Sequence, residues 1–176
     1  MDEIVEAALR KWPNVPHCYG WLALDARGDW YMRDERVQAA GPFPQVKGSV
    51  IRHDKLLGFI HRNYAADAHG AWYFQNGPQR VYVELEAAPW VWRVQPGAVA
   101  AQPEVTTHTG RAAVVQSAWL DERGRLFLLA DIGFGLVHTL DMGPASDALE
   151  AGAWPLHEAR FDTLPARFGY RLRPQP

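Results

Sequence analysis

The sequence AWYFQNGPQRVYVEL, residues 71–85, predicts a β-hairpin and with it a largely antiparallel fold. Before the dipeptide Asn76-Gly77, the apolar residues Trp72 and Phe74 are separated by single residues. After the dipeptide, the alternation continues through Val81, Val83 and Leu85. Period-two alternation is typical of a half-buried strand. An Asn-Gly pair between two such runs indicates a tight turn, because both residues tolerate positive φ. We therefore expect two paired strands joined at Asn76-Gly77.

Three stretches of the chain share the pattern Asp-x-x-Gly, one further residue, and a large apolar pair. They are LDARGDWYM at 24–32, ADAHGAWYF at 66–74 and LDERGRLFL at 120–128. The aspartate of such a turn accepts hydrogen bonds from backbone amides, and the glycine adopts positive φ. A calcium loop would need more oxygen ligands close together. The pattern therefore predicts turns that lead into strands, and its repetition is compatible with two related halves.

Two segments repeat apolar residues at helical spacing and predict helices. Residues 2–12 have an apolar face of Ile4, Val5, Ala8, Leu9 and Trp12, with Asp2 as the capping residue. Residues 52–66 have an apolar face of Leu56, Leu57, Ile60 and Tyr64, with His53 or Asp54 as the cap. A short helix is also expected at 144–152, where Pro144 opens the segment and Gly152 ends it.

These patterns together predict an α+β fold with a mainly antiparallel β-sheet and a few short helices. We expect an N-terminal α+β half at residues 1–96, a linker at 97–111 and a C-terminal β-rich half at 112–176. The linker is placed there because this stretch is polar and low in large apolar residues. The alternative is a single domain that spans the whole chain.

Composition and charge limit the classes of partner. The chain has 176 residues and a formal net charge of −2, so we expect no nucleic-acid partner and no membrane surface as partner. Cys18 is the single cysteine, which excludes an internal disulfide and a cysteine-rich zinc site. The N-terminal residues are acidic and lack a long apolar run, which predicts a cytoplasmic protein. The eight tryptophans are expected mainly in the core, although some could line a groove.

Recognised catalytic and ligand-binding motifs are missing from the sequence. The seven histidines show no metal-ligand spacing, the serines show no nucleophile elbow, and the Gly-Phe-Gly at 133–135 lacks the other residues of a phosphate loop. We therefore expect neither a metal nor a cofactor, and the sequence assigns no catalytic residue.

The densest polar cluster is HRNYAADAH at 61–69, which runs into the hairpin. It predicts an aromatic and amide-rich binding site for a small anion, such as a peptide carboxylate, or for a protein partner. The predicted site residues are His53, His61, Arg62, Asn63, Tyr64, Trp72, Tyr73, Gln75, Gln79 and Arg80. The structural alternative is that basic and amide side chains here only complete a helix end.

Three classes of function stay open at this stage. The favoured class is a non-catalytic binding or interaction protein. The second is a small enzyme in the same region, with acid-base groups at His53, His61, Asp67 and His69 and an anion clamp at Arg62 or Arg80. The third is a homo-oligomer that assembles through exposed sheet edges.

Four stretches of the sequence carry a resemblance to a known family. They are KWPNVPHCYGWLALDARGDW, FIHRNY, FQNGPQRVYVELE and LPARFGY. With them, the chain resembles an uncharacterised family of bacterial, and more narrowly proteobacterial, proteins of unknown function over most of its length. The resemblance implies a bacterial cytoplasmic origin and brings no activity, ligand or catalytic residue to these positions.

Overall fold

The computed structural model of the chain describes residues 1–99 and 101–176 and confirms the predicted α+β class. Within these residues, two mixed six-stranded sheets and five short helices build two similar halves. Seven of the strand pairings are antiparallel and three are parallel, so the fold is mainly antiparallel. No helix of this part of the chain is long and apolar enough to cross a membrane.

The first compact unit comprises Met1–Asp25, Asp29–Glu86 and Gly169–Pro176. Its strands are β1 (Cys18–Leu24), β2 (Trp30–Met32), β3 (Ser49–Val50), β4 (Tyr64–Ala66), β5 (Trp72–Asn76) and β6 (Gln79–Leu85). They form one sheet in the order β3-β2-β1-β6-β5-β4, with β1 and β6 parallel. Its helices are α1 (Glu3–Lys11), α2 (Glu35–Ala40) and α3 (Asp54–Arg62). The C-terminal segment joins this unit through the amide of Leu85, which donates to the carbonyl of Leu172.

The second compact unit comprises Ala26–Gly28 and Ala87–Phe168. Its strands are β7 (Trp90–Gln95), β8 (Glu104–Thr107), β9 (Val115–Leu120), β10 (Leu126–Ala130), β11 (Gly133–Val137) and β12 (Leu156–Glu158). They form a sheet in the order β12-β9-β10-β11-β7-β8. Its helices are α4 (Met142–Glu150) and α5 (Leu164–Phe168), and 3-10 turns lie at Thr139–Asp141 and Phe161–Thr163. Trp90 and Trp92 are fully buried in this unit, as Trp30 is in the first.

The predicted hairpin forms, but its turn lies one residue later than the sequence indicated. Asn76 still pairs with Gln79, so the loop residues are Gly77 and Pro78. Gly77 has a φ of 57°, whereas no residue other than glycine has positive φ in the described chain. The expectation of positive φ at Asn76 was therefore wrong. Pro78 has no backbone N–H to extend the ladder, so the turn includes it and Asn76 stays in the strand.

The Asp-x-x-Gly turns are confirmed, and each aspartate caps its own turn. One carboxylate oxygen of Asp25, Asp67 and Asp121 accepts from backbone amides two or four residues further along. A fourth turn has the same bonds around Thr107, whose hydroxyl accepts from the amides of Thr109 and Arg111. Sequence analysis missed this fourth turn because threonine takes the place of aspartate in THTG.

The predicted cap is confirmed for α3 and is wrong for α1. His53 caps α3, since its Nδ1 accepts from the amide of Leu56, as one of the two predicted alternatives stated. Asp2 precedes α1 but makes no side-chain cap bond; its carboxylate instead accepts from Arg62. Tyr64 lies outside the helix, in β4. The short helix expected at 144–152 is α4, displaced by two residues.

The stretch predicted as a linker, 97–111, contains strand β8. Val105 and Thr107 are buried while Glu104 and Thr106 are not, so the short strand alternates between two environments. Residue 100 of this stretch lies outside the described residues. The division into 1–96, 97–111 and 112–176 as domains stays a prediction.

Candidate functional site

The first unit contains a cleft between α3 and one face of its sheet, which we call the apolar cleft. Its volume is about 270 Å³. Its lining residues are Cys18, Trp21, Leu22, Met32, Ile51, Leu56, Ile60, Phe74, Asn76 and Val81. Apart from Cys18 and Asn76, these side chains are hydrocarbon, aromatic or thioether groups. Small-molecule sites have about 300–1,000 Å³ and are mostly apolar, so this cleft has the composition of that class and a volume just below its lower limit.

The floor and the rim of the apolar cleft differ in exposure. Leu22, Ile60 and Phe74 are buried and form its floor. Trp21 and Met32 are 37% and 49% exposed and stand at its rim. Single exposed apolar residues need no explanation, but these two extend the apolar surface of the cleft to solvent.

An irregularity in β1 brings neighbouring residues to the same cleft. In a regular strand Trp21 and Leu22 would point to opposite faces. The register shifts between Cys18, which pairs with Val81, and Leu22, which pairs with Val83. Gly20 lies in this bulge with a φ of 78°, a conformation that favours glycine. The bulge changes the alternation and allows Trp21 and Leu22 both to border the cleft.

Cys18 forms part of the apolar wall. Burial raises the pKa of its thiol above the ordinary value, which keeps the group protonated at neutral pH. A protonated thiol behaves as a small apolar group and is a weak nucleophile. The position of Cys18 therefore supports packing and ligand contact.

The other face of the same sheet carries a second depression, which we call the tyrosine cleft. On β6, Val81 borders the apolar cleft and the next residue, Tyr82, borders the tyrosine cleft, because successive side chains point to opposite faces. The tyrosine cleft has a volume of about 290 Å³. Its lining residues are Tyr19, Asp67, His69, Ala71, Tyr82, Arg171, Pro174 and Gln175. The rings of Tyr19 and Tyr82 stack with centroids 4.7 Å apart.

Asp67, a predicted acid-base candidate, is held by its own turn beside the tyrosine cleft. One oxygen accepts from the amides of His69 and Ala71, and the other accepts from the Tyr82 hydroxyl at 3.0 Å. Burial opposes ionisation of Asp67, but these amides and the hydroxyl outweigh it, so its pKa is lowered. A carboxylate with a lowered pKa and both oxygens bonded is a poor proton acceptor near neutral pH.

The predicted site residues of α3 make structural bonds. The Nδ1 atom of His53 accepts from a backbone amide at the start of the helix. His61 Nε2 accepts from the indole N–H of Trp30 at 3.0 Å. Arg62 donates through Nε to both carboxylate oxygens of Asp2 at 3.1 Å. The end of α3 is therefore tied to the start of α1.

Asn63 and Tyr64 are buried behind the end of α3. Asn63 accepts through Oδ1 from the amide of Asp2 and donates through Nδ2 to the carbonyl of Phe59. Tyr64 packs edge-on against Trp30, with ring centroids 5.1 Å apart. Burial raises the pKa of Tyr64 well above its ordinary value, so its hydroxyl stays protonated.

The predicted residues of the hairpin also lie apart from the apolar cleft. Trp72 packs on Tyr64, with ring centroids 4.7 Å apart. Gln75 is buried and donates to the carbonyl of Gly77, and Gln79 donates to that of Pro16. On the tyrosine side, the Arg80 guanidinium lies 4.4 Å from the ring centroid of Tyr73, which itself packs edge-on against Tyr82.

The structure thus brings Tyr73 and Arg80 close to the tyrosine cleft. His61 lies in α3 and His53 caps it, and this helix borders the apolar cleft on the opposite face. The ten-residue site stays a prediction. Sequence reasoning missed Trp21, Met32 and Tyr19, and the signal for Trp21 was the glycine within the apolar run CYGWLAL, since glycine in a strand often marks a bulge. Among the described residues, no group of three or more His, Cys, Asp or Glu side chains is placed to hold a metal ion.

His61 should make the stability of the protein depend on pH. Burial lowers the pKa of His61, and the neutral ring accepts the Trp30 bond. As pH falls through about 6.5, the unfolded chain takes up a proton that the folded chain resists, so the free energy of unfolding should decrease. This contribution is fully present above pH 6.5 and is lost as pH falls to the lowered pKa.

The measurement is urea unfolding at pH 7.5 and pH 5.5 for the wild type and His61→Gln. We expect the variant to lose less stability between these two pH values than the wild type does. His157→Gln, at an exposed position on β12, should retain the wild-type difference. An equal loss in the wild type and His61→Gln would contradict the prediction.

With two mixed six-stranded sheets and five short helices in its described residues, this is an α+β protein of two similar halves. The chain belongs to the family DUF2944, whose model has the description "Protein of unknown function (DUF2946)" and matches residues 1–175. This confirms the resemblance to an uncharacterised family that the sequence indicated, and the description assigns no activity. No curated protein matches the chain.

Two solved structures of DUF1285 family proteins are similar to this chain. The one from Silicibacter pomeroyi DSS-3 has 15% sequence identity, a TM-score of 0.51 and coverage of 84% of each chain. The one from Shewanella baltica OS155 has 14% identity and a TM-score of 0.46, and covers 73% of this chain and 96% of its own. At this identity the first comparison shows a shared fold.

Proposed function

We propose that the protein is a non-catalytic binding protein whose ligand places an apolar group in the apolar cleft. The observation that carries this proposal is the contrast within the cleft. A buried apolar floor lies beside Trp21 and Met32, two large apolar side chains that remain exposed. A ligand that covers them removes apolar surface from water, which contributes about 25 cal/mol per Å².

The bonding of the predicted acid-base groups supports binding over catalysis. His53 and His61 each use a ring nitrogen as a structural acceptor, and Asp67 uses both oxygens. The enzyme alternative, with His53, His61, Asp67 and His69 as acid-base groups and Arg62 or Arg80 as anion clamp, stays a prediction. In the binding proposal, the polar residues of the 53–80 region hold α3 and the hairpin in place, and Leu56, Ile60, Phe74 and Asn76 of this region contact the ligand.

We further propose that the protein acts in the bacterial cytoplasm. The support is the resemblance found in the sequence and the single cysteine. A small anionic ligand or a protein partner fits the binding proposal. The separate alternative, self-assembly through sheet edges, would be detected by a measurement of molecular mass in solution.

The proposal predicts saturable binding of an uncharged apolar probe, N-phenyl-1-naphthylamine, to the native protein. Val81→Phe should weaken binding at least about tenfold, because the larger ring fills the cleft that Val81 borders. Val114→Phe makes the same change at an exposed position outside the cleft and should bind like the wild type. Probe fluorescence measures the affinity, and circular dichroism checks that both variants fold.

Two results would contradict the proposal. One is the absence of probe binding to the folded wild type. The other is equal affinity of the wild type and Val81→Phe, since the probe would then bind elsewhere. Met32→Glu is a second test. A ligand that covers a carboxylate at the exposed rim removes water from it, which should weaken the binding of an apolar ligand without overfilling the floor.

A further inference from the structure

We infer that the ligand of the apolar cleft is a free carboxylate with a short apolar tail, which lies in the cleft while the carboxylate stays at the rim. This inference rests on the proposed function. It adds the chemical class of the ligand, which follows from the charges next to the cleft.

Residues 52–55 adjoin the lining of the apolar cleft in sequence, and we call them its edge. They connect Ile51 and Leu56, both of which line it, and all four residues of the connection are exposed. A chain of four residues between two lining residues stays close to the cleft, so its exposed side chains are within reach of the head group of a ligand whose tail occupies the floor.

The charge of this edge is positive. Arg52 and Lys55 take part in no ion pair within residues 1–99 and 101–176, so no paired carboxylate offsets their charges. Asp54, the one acidic residue of the edge, begins α3, where the helix dipole favours its negative charge. Two unpaired cations beside one carboxylate leave a net positive edge that attracts an anion.

The floor of the cleft admits no charge, and its two polar lining residues, Cys18 and Asn76, lie outside that floor. The floor of Leu22, Ile60 and Phe74 offers no hydrogen-bond partner, and burying an ionised group without a partner is very costly. A ligand that uses both features therefore has an apolar part and an anionic end. The small volume, about 270 Å³, selects a short tail. Each methylene that enters the cleft should raise affinity about fourfold until the cleft is full.

The experiment compares octanoate, octanol and octylamine, which share one tail and differ in the charge of the head. Calorimetric titration of the whole protein at low ionic strength should give octanoate the highest affinity, about fivefold above octanol, and octylamine the lowest. The advantage of octanoate should shrink in high salt, because ions screen exposed charges. Hexanoate should bind about tenfold or more weakly than octanoate if the tail occupies the cleft.

Variants test whether the charge effect comes from residues 52–55. In the double variant Arg52→Gln and Lys55→Gln, octanoate should bind no better than octanol. The matched double variant Arg36→Gln and Lys11→Gln removes the same charges from exposed positions of α2 and α1, outside the segment between Ile51 and Leu56. It should keep the preference for octanoate, and octanol affinity should be unchanged in both doubles.

The outcomes separate this inference from the proposed function. If octanoate and octanol bind equally and Val81→Phe blocks both, the apolar cleft is a binding site and the inferred carboxylate is wrong. If the Arg52 and Lys55 double variant retains the preference for octanoate, the inference that these two residues attract the carboxylate is wrong. If none of the three ligands binds the folded protein, both the inference and the proposed function are overturned.

Discussion

Replacing Arg33 by methionine should lower the free energy of unfolding by about 3 kcal/mol or more. The Arg33 side chain is only 3% exposed and pairs with Glu84, which is itself largely buried. Its other nitrogens donate to the carbonyls of Gly41 and Val46. Methionine would fill the space but would leave a partly buried carboxylate and two carbonyls without their donor. The pair also joins β6 to the segment after β2, so its loss affects the centre of the first unit.

Urea unfolding measures this effect, and two further variants test its cause. Arg36→Met, at an exposed position of α2, should change stability by less than about 0.5 kcal/mol. Adding Glu84→Leu to Arg33→Met should recover much of the loss, since the unpaired carboxylate is then gone. A variant Arg33→Met as stable as the wild type would show that the ion pair contributes nothing.

Gly135→Ala is expected to destabilise the second unit by about 3 kcal/mol, the upper part of the range for overpacked cores. An added Cβ would lie 2.6 Å from the carbonyl oxygen of Trp90 and 2.6 Å from Nε1 of Trp92. Neither group can move freely. The Trp90 oxygen belongs to strand β7, and the Trp92 indole donates to the carbonyl of Leu128 in the buried core.

Gly143→Ala provides the matched comparison for this change. A Cβ at Gly143, in α4, would meet no atom within 4 Å, and alanine favours helix, so we expect unchanged or slightly higher stability. Thermal unfolding of both variants can be followed by tryptophan fluorescence, because Trp90 and Trp92 flank Gly135. Similar unfolding temperatures for Gly135→Ala and the wild type would contradict the prediction, since β11 and β7 would then accommodate the added Cβ with little loss of stability.

Local patterns predicted the parts of the fold that depend on local interactions. Alternation identified β5 and β6, and Asp-x-x-Gly identified turns whose aspartates bond to their own backbone. The parallel pairings of β1 with β6, β7 with β11 and β9 with β12 join segments far apart in sequence, and no local pattern specifies them. The turn at Thr107 escaped because the same bonds can be made by a hydroxyl.

The candidate site was harder to predict because polar residues are conspicuous in a sequence and a cleft is not. Asn63 and Gln75 drew attention as amides, but both are buried and satisfy backbone groups. The apolar cleft depends on the meeting of β1, β2, α3, β5 and β6. Its rim residue Trp21 reads in the sequence as one more apolar residue of a strand. Only the bulge at Gly20 explains its place at the rim.

The position of the C-terminal segment in the first unit has a consequence for protein synthesis. Tyr170 is buried there, and the backbone of Arg171 and Leu172 bonds to Gly70 and Leu85. The ribosome makes Gly169–Pro176 only after all of Ala87–Phe168, which form nearly the whole second unit. The first unit therefore receives its C-terminal segment only after the second unit has been synthesised. In a nascent chain that stalls before residue 169, the amide of Leu85 lacks its native acceptor, the carbonyl of Leu172.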